Sequence, residues 1–283
     1  MSLGIPSSCV ESASPSTLPT EPPIPFSVII PASERVDSLL KTLAKISACE
    51  PPADEILVHV DGGSSQVIEA VSRHFPEVRL SHSATRQGPG GARNVLVRAA
   101  SNDWIANFDD DSFPEDPGYF RRLAETVKRF PHAAIVTACN HDDPVAPNEY
   151  ERVSEASGCG CIFKKSWFER VGGFVPLPIA YNMEEVDMGL RVHAAGGIIV
   201  RDQGLRVVHD KPQAQNVAQH LNAAVLANTA LFPFLRFPIL LAGLGLWQIL
   251  HRILFLLSKG WIKGIGQGLH MIRLALRCTM KDL

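Results

Sequence analysis

Residues 104–111 read WIANFDDD, a short apolar run that ends in three consecutive aspartates. The run has the length and composition of a buried strand, so the sequence predicts a β-strand over residues 104–108 with Asp109–Asp111 at its carboxyl end. Adjacent carboxylates repel one another unless a cation neutralises them, and such oxygen ligands suit Mg²⁺ or Mn²⁺. The triplet therefore indicates a metal site, with a solvated acidic turn as the alternative.

Strands and helices alternate on both sides of this run. Apolar runs predict strands at residues 26–31, 55–60, 78–81, 134–138, 159–163, 198–201 and 205–208, and helical spacing predicts helices at 34–46, 66–74, 92–100, 117–129, 165–171 and 184–195. In the first half this alternation is typical of an α/β fold with a parallel sheet covered on both faces. Ligands bind such sheets at the carboxyl ends of the strands, where Asp61 and the aspartate triplet are expected.

The composition excludes several classes of protein. The formal net charge of -2 argues against nucleic acid as the main partner. Six cysteines form no CxxC pair and no Cys/His zinc spacing. Scattered thiols of this kind suit a reducing cytosol.

Two glycine-containing motifs follow predicted strands. Asp61 opens DGGS, in which glycines let a ligand approach the backbone and the carboxylate can accept hydrogen bonds from a base or a ribose. Residues 86–94, RQGPGGARN, lead into a helix, and their arginines and the helix N-terminus favour an anion. A plain turn and solvated arginines are the respective alternatives.

Acidic residues also begin a predicted helix, at EEVD, residues 184–187. Acids in a first turn stabilise the helix dipole, and Asp187 and Arg191 have the spacing of a helical ion pair, so capping is the simplest interpretation. So dense a cluster could instead supply a general base. His209, after the last predicted strand, could add a metal ligand, although a single histidine is more often structural.

Taken together, these motifs resemble those of family 2 glycosyltransferases of the GT-A fold. In order, they are SVIIP, VDGGSS, GPGGARN, FDDD, VGGF, EEVDMGLR and VVHD, and the resemblance covers residues 26–210. It implies a Rossmann-like mixed sheet flanked by helices. It also implies an inverting, hexosyltransferase-like enzyme that uses Mg²⁺ or Mn²⁺ to move a sugar from a nucleotide diphosphate sugar to an acceptor hydroxyl.

The resemblance also implies roles for individual residues. The donor site would contain Pro31, Asp61, Arg86, Gly88, Arg93, Asn94, Asp109, Asp110 and Gly173, with Asp61 on the nucleotide base. The metal ligands would be Asp109, Asp111 and His209. Glu185 would be the catalytic base, with Glu184 beside it as the second candidate. Neighbours on a helix point about 100° apart, so only one of the two should face the acceptor squarely.

Two other functions remain as alternatives. A nucleotidyltransferase would need a glycine-rich basic loop directly after the first strand, where residues 31–36 read PASERV. An inactive nucleotide-binding scaffold at a membrane would not need Asp111 and Glu185. The absence of a QxxRW-like motif argues against a processive polysaccharide synthase, whereas ASER in place of an aromatic-Asn-Arg sequence leaves the base contacts of that loop undefined.

Three regions are expected along the chain. Residues 1–25, rich in Ser and Pro, predict a disordered leader without a secretory signal. Residues 26–210 form the expected catalytic domain. Residues 211–283 form an apolar and basic helical appendage that is expected to associate with a membrane.

The appendage carries the prediction of location. Residues 211–281 contain no Asp or Glu, and residues 237–250 are uncharged but shorter than a spanning helix. Residues 261–276 predict an interfacial helix with a basic polar face, although three glycines weaken the prediction and packing on the catalytic domain is the alternative. Anionic lipid would attract this helix, so we expect an enzyme held peripherally or monotopically on the cytoplasmic face of a membrane. Its acceptor would be a glycan or a lipid-linked molecule, and the enzyme would act in cell-envelope or lipid-linked glycan synthesis.

Overall fold

The computed structural model describes residues 24–144, 149–175, 183–210, 215–260 and 262–279. Within these residues the strands are β1 (Phe26–Ala32), β2 (Glu55–Asp61), β3 (Arg79–Ser83), β4 (Trp104–Asn107), β5 (Ser112–Pro114), β6 (Ala133–Asn140), β7 (Tyr150–Arg152), β8 (Cys161–Lys164) and β9 (Ile198–His209). The helices are α1 (Val36–Ser47), α2 (Ser65–His74), α3 (Gly88–Ala99), α4 (Tyr119–Arg129), α5 (Lys165–Arg170), α6 (Glu184–Ala194), α7 (Gln215–Arg236), α8 (Ala242–Ser258) and α9 (Ile262–Thr279). The expected leader, residues 1–25, lies almost wholly outside the described residues.

The strands form one mixed sheet in the order β3-β2-β1-β4-β8-β6-β9-β5, with β7 paired to β9. β1 runs parallel to both β2 and β4, as the alternation predicts. The parallel sheet predicted for the first half holds for β3, β2, β1 and β4, whereas β8 pairs antiparallel to β4 and to β6 and so separates β6 from them. The mixed sheet implied by the family resemblance is confirmed.

Several element boundaries differ from the predictions for local reasons. The Gly/Pro stretch predicted as a loop is the first turn of α3, where proline suits the first helical positions. β1 continues through Pro31 to Ala32. The two strands predicted at residues 198–201 and 205–208 are one strand, β9, which pairs with β5, β6 and β7.

Two apolar cores cover the two faces of the sheet. Alternate residues of β1 enter different cores: Val28 and Ile30 pack with α1, α2 and α4, whereas Ile29 packs with α3, α5 and α6. This is the two-residue period of a strand that is buried on both faces. The sheet is thereby fixed between helix layers, and its carboxyl edge carries Asp61 and the aspartate triplet.

The C-terminal helices form an appendage that is joined to α6 by an ion pair. Arg236, at the end of α7, donates from Nε to Asp187 at 2.5 Å. α9 packs on α7 through Gly264 and Gly268, whose missing side chains let the two helices approach closely. Gly264 and Gly268, which argue against a helix in the sequence, therefore form the contact between α9 and α7.

The apolar surface of the appendage lies mainly on α8. Met271 and Ile272 of α9 pack against α7, whereas large apolar side chains of α8 are exposed: Leu244, Leu246, Trp247, Leu250, Leu254 and Leu257. Of the helices described, none has the length and hydropathy that a membrane crossing needs.

The contact between α9 and α7 can be tested with a matched pair of substitutions. A Cβ at Gly268 would lie 2.9 Å from Leu226 Cδ2 and 3.0 Å from the Ala223 carbonyl oxygen, whereas one at Gly266 would meet no atom within 4 Å. We expect Gly268→Ala to lower the free energy of unfolding by about 1–3 kcal/mol. Gly266→Ala should raise it by up to about 1 kcal/mol, since alanine favours a helix. Urea unfolding of the full chain measures both, and equal effects would contradict the packing.

Candidate active site

Asp61 closes the N-terminal end of α3. It lies at the end of β2, and its carboxylate accepts the backbone N–H groups of Gln87 at 2.8 Å and Gly88 at 2.9 Å, together with the Ser83 hydroxyl at 3.2 Å. The helix N-terminus, for which the sequence predicts an anion, receives a carboxylate of the protein itself. The two glycine motifs therefore form one unit, and the contact of Asp61 with a nucleotide base stays a prediction.

Two other residues expected at the donor site lie beside this unit. Arg86 is exposed and forms an ion pair with Glu34, also exposed. Pro31 is buried within β1, where it pairs with His59 of β2. Arg86 thus remains accessible to a ligand, whereas Pro31 can contribute only as part of the sheet.

Arg35 neutralises part of the aspartate triplet. Its guanidinium donates to the carboxylates of both Asp110 and Asp111. Burial raises the pKa of Asp110 to about 6, although Arg35 opposes this shift. Sequence reasoning missed Arg35, which lies in the ASER segment where the family's usual motif is absent.

Asp109, Asp111 and His209 come together at one point of the sheet edge. One ligand atom from each lies within 4.8 Å of the others. His209 Nε2 is 3.2 Å from Asp111 Oδ1, an ion-pair distance, and this buried oxygen accepts no well-directed hydrogen bond from the described residues. Burial alone would raise the pKa of Asp111, but His209 and Arg35 outweigh it and lower the pKa.

This arrangement fits a divalent metal. A buried carboxylate oxygen without a hydrogen-bond donor, a second carboxylate and an imidazole are groups that Mn²⁺ accepts, and the carboxylates also suit Mg²⁺. The three residues predicted as metal ligands are therefore the three that the fold brings together. Asp110 points instead to Arg35, so the structure separates it from this group.

Arg93 is the centre of the site. Its side chain is 3% exposed, and its guanidinium binds four groups: Asn107 Oδ1 at 3.1 Å, Glu184 Oε1 at 2.9 Å, Glu185 Oε1 at 2.9 Å and Asp109 Oδ1 at 2.7 Å. Burial disfavours the charge, but the three carboxylates outweigh it and raise the pKa of Arg93. The sequence predicts that Arg93 faces an anionic ligand; in the structure the anions are carboxylates of the protein.

Glu184 and Glu185 converge on the same nitrogen of Arg93. Although neighbouring helix positions point about 100° apart, the two long side chains bend toward one cation. Which of the two faces the acceptor stays a prediction. Burial raises the pKa of Glu185 to about 7, with the charge of Glu184 adding to the shift and Arg93 opposing it. A carboxylate that changes charge near neutral pH is suited to general base catalysis.

Asn94 and Gly173 hold a loop over Arg93. The Asn94 side chain accepts the backbone N–H of Phe174 at 2.9 Å and donates to its carbonyl oxygen at 2.7 Å. Gly173 has φ +67°, and a Cβ there would lie 2.8 Å from Asn94 Oδ1. The Phe174 ring centroid lies 5.5 Å from the guanidinium carbon of Arg93. Two residues predicted to bind donor thus position the loop that covers the site.

The comparison with protein families decides the classification. Residues 27–176 match the family described as Glycosyl transferase family 2. The chain belongs to this family. A curated relative, the succinoglycan biosynthesis protein ExoO of Rhizobium meliloti (strain 1021), is 32% identical over 99 residues, which are 34% of this chain and 28% of ExoO. The chain therefore matches less than a third of that relative's length.

Solved structures place this family 2 protein in the GT-A fold. The mannosyltransferase PcManGT from Pyrobaculum calidifontis, in complex with GDP-Man and Mn²⁺, has a TM-score of 0.61 at 18% identity over 90% of this chain and 76% of that one. S. aureus TarS 1–349 in complex with UDP-GlcNAc has a TM-score of 0.56 at 15% identity over 74% and 67%. GalNAc-T7 with UDP, GalNAc and Mn²⁺ has a TM-score of 0.58 at 13% identity over 75% and 50%. At these identities the likeness shows the fold.

The charge cluster of this family 2 protein predicts a large difference between two arginines. Arg93→Met would leave three carboxylates without their shared cation, so we expect the free energy of unfolding to fall by about 3–5 kcal/mol. Arg86→Met removes an exposed pair with Glu34 and should cost about 0–1 kcal/mol. Denaturant unfolding near pH 8 measures both. A cost for Arg93→Met no larger than that for Arg86→Met would contradict this role.

Proposed function

We propose that this family 2 glycosyltransferase moves a sugar from a nucleotide diphosphate sugar to an acceptor hydroxyl, with a divalent metal and with inversion. The observation that carries the proposal is the convergence of Asp109, Asp111 and His209 beside Glu185 at one edge of the sheet. Structures with the same fold support it, since they are complexes with GDP-Man and Mn²⁺ or with UDP-GlcNAc.

Asp109, Asp111 and His209 would hold Mg²⁺ or Mn²⁺. Bound there, the metal would stabilise the negative charge that develops on the leaving diphosphate. Asp109 would contact both the metal and Arg93, because its Oδ1 already accepts a hydrogen bond from Arg93 Nη2. Arg35 compensates the charge of Asp110 and Asp111.

Glu185 would act on the acceptor. Its carboxylate takes the proton of the acceptor hydroxyl, and the oxygen attacks the anomeric carbon on the face opposite the diphosphate. The bond between that carbon and the diphosphate oxygen breaks in the same displacement, so the anomeric configuration inverts and no covalent enzyme intermediate forms. Arg93 holds the carboxylate in place and opposes the rise in its pKa that burial causes.

The role of the metal site is tested by two neighbouring aspartates. Asp111→Asn should abolish Mn²⁺ binding, measured by electron paramagnetic resonance, and the Mn²⁺-dependent part of UDP-sugar or GDP-sugar binding, measured by calorimetry. Asp110→Asn is the matched control, because Asp110 pairs with Arg35 outside the three-residue cluster, and it should keep Mn²⁺ binding. Full transfer activity in EDTA would contradict the metal-dependent mechanism.

The two glutamates can be separated kinetically. Glu185→Gln should lower single-turnover transfer by about 10²–10⁴-fold, since it removes the proton acceptor, whereas nucleotide-sugar binding persists. Glu184→Gln keeps the proposed base and should lower transfer less. Near-normal transfer by Glu185→Gln, or inactivation by Glu184→Gln alone, would show that Glu184 is the base.

We also propose that α8 attaches the enzyme to the cytoplasmic face of a membrane. Its exposed leucines supply apolar surface, and exposed Lys263 and Arg273 of α9 supply positive charge for anionic lipid.

This attachment predicts a contrast between apolar and polar positions of the appendage. Leu250→Glu with Leu254→Glu should strongly reduce co-sedimentation with phosphatidylglycerol vesicles, because charge is placed on the apolar surface. Gln267→Glu with Ser258→Glu adds the same charge at exposed polar positions and should reduce it little. Equal loss in both variants, or no vesicle binding by the wild-type chain, would refute the attachment.

A further inference from the structure

An apolar cavity of about 520 Å³ lies between α6, α7 and α8. Small-molecule sites have volumes of roughly 300–1,000 Å³, so the cavity is large enough for part of a ligand. Its apolar wall includes Met183, Val186, Leu190, Phe232 and Trp247. None of these residues has a role in the metal or base geometry described above, so the cavity is a separate feature of the molecule.

The cavity adjoins the catalytic helix at its first turn. Met183 and Val186 line it, and they flank Glu184 and Glu185 in the sequence. Met183 has φ +76°, which is uncommon for a residue other than glycine, and its Sδ lies 3.9 Å from Thr229 Oγ1 of α7. Unfavourable backbone conformations tend to occur at functional sites. The turn that presents the base therefore also forms one wall of the cavity.

The polar edge of the cavity carries a cation, Arg252 of α8, with His251 beside it. Arg252 donates from Nη2 to Asn222 Oδ1 at 3.5 Å, whereas its buried Nε has no hydrogen-bond acceptor among the described residues. Nearby, Asp187 already binds two arginines, Arg191 and Arg236, and residues 211–281 contain no acid. An anionic group of a ligand would therefore complete the charge balance at this edge.

The apolar wall continues to the surface of the appendage. Trp247 lines the cavity and is 64% exposed, and Leu190 is 37% exposed. Leu244 and Leu250 of α8 extend the exposed apolar surface on either side of Trp247 along the helix. The cavity wall is therefore continuous with exposed apolar surface of α8 at Trp247.

We propose that this cavity binds the apolar chain of the acceptor, and that the acceptor is a lipid-linked phosphate or diphosphate whose anionic group contacts Arg252 and His251. The inference rests on the proposed function, because it assigns the acceptor class of the same active site. Such an amphipathic acceptor requires an apolar wall, a cationic edge and a position beside the base, and the cavity has all three.

Calorimetry of the full chain with farnesyl phosphate tests this assignment. We expect saturable binding that is weakened about tenfold or more by Leu190→Trp and by Arg252→Gln. Leu190→Trp fills the cavity, and Arg252→Gln removes the cation. Leu269→Trp is the matched control, since Leu269 is an exposed leucine of α9 that does not line the cavity, and it should bind normally. Farnesol should bind more weakly than farnesyl phosphate, and inorganic phosphate should not compete. Thermal unfolding identifies any variant that does not fold, and Arg252→Gln keeps the test valid if Leu190→Trp fails.

Three results would overturn the assignment. The first is no saturable binding of farnesyl phosphate, and the second is equal weakening by Leu269→Trp. The third is a loss of phosphatidylglycerol vesicle binding in Leu190→Trp that matches its loss of farnesyl phosphate binding, which would make bilayer lipid the occupant. Donor binding and donor hydrolysis are measured on the same variants. If the proposed function fails, no nucleotide sugar is bound or cleaved by any of them. If only this inference fails, donor binding and hydrolysis persist while farnesyl phosphate is not bound.

Discussion

The buried guanidinium of Arg93 is the interaction on which the site depends. It compensates Asp109 at the end of β4 and both glutamates at the start of α6, segments that are far apart in the sequence. Three carboxylates at this depth would repel one another and lose their hydration without a cation. Because Asp109 also belongs to the metal cluster, one arginine connects the proposed metal site with the proposed base. The position of Asp109 is thus tied to the positions of Glu184 and Glu185.

A second set of contacts places Arg93 itself. Asp61 caps the first turn of α3, the helix that carries Arg93. Asn94, the next residue along, fixes the backbone of Phe174, whose ring covers the guanidinium. Asp61 and Asn94, which are predicted to contact the donor, thus also orient Arg93. Gly173 lets the loop that carries Phe174 approach Asn94. Within the first turn of α6, Asp187 joins the same helix to the appendage.

Local patterns in the sequence predict much of the fold and most of the residues that lie at the site. Apolar periodicity places β1, β2, β4 and most helices within a few residues, and the acids at strand ends mark the sheet edge. The insertion of β8 between β4 and β6 could not be predicted, because pairing between distant segments leaves no local pattern. The same holds for Arg35 and for the partners of Arg93, since an arginine's spacing does not reveal which carboxylates it meets. The GxxxG spacing of Gly264 and Gly268 was a signal for helix packing that could have been recognised.

A mutant cycle between Arg93 and the two glutamates tests the central claim most directly. The free energy of unfolding is measured near pH 8 for Arg93→Met in the wild-type background and in a background carrying Glu184→Gln and Glu185→Gln. If Arg93 compensates these carboxylates, its loss leaves fewer buried charges in the glutamine background, so its cost should be smaller there by more than about 1 kcal/mol. A cost that is the same in both backgrounds within about 0.5 kcal/mol would show that Arg93 and the glutamates act independently, and would contradict the account.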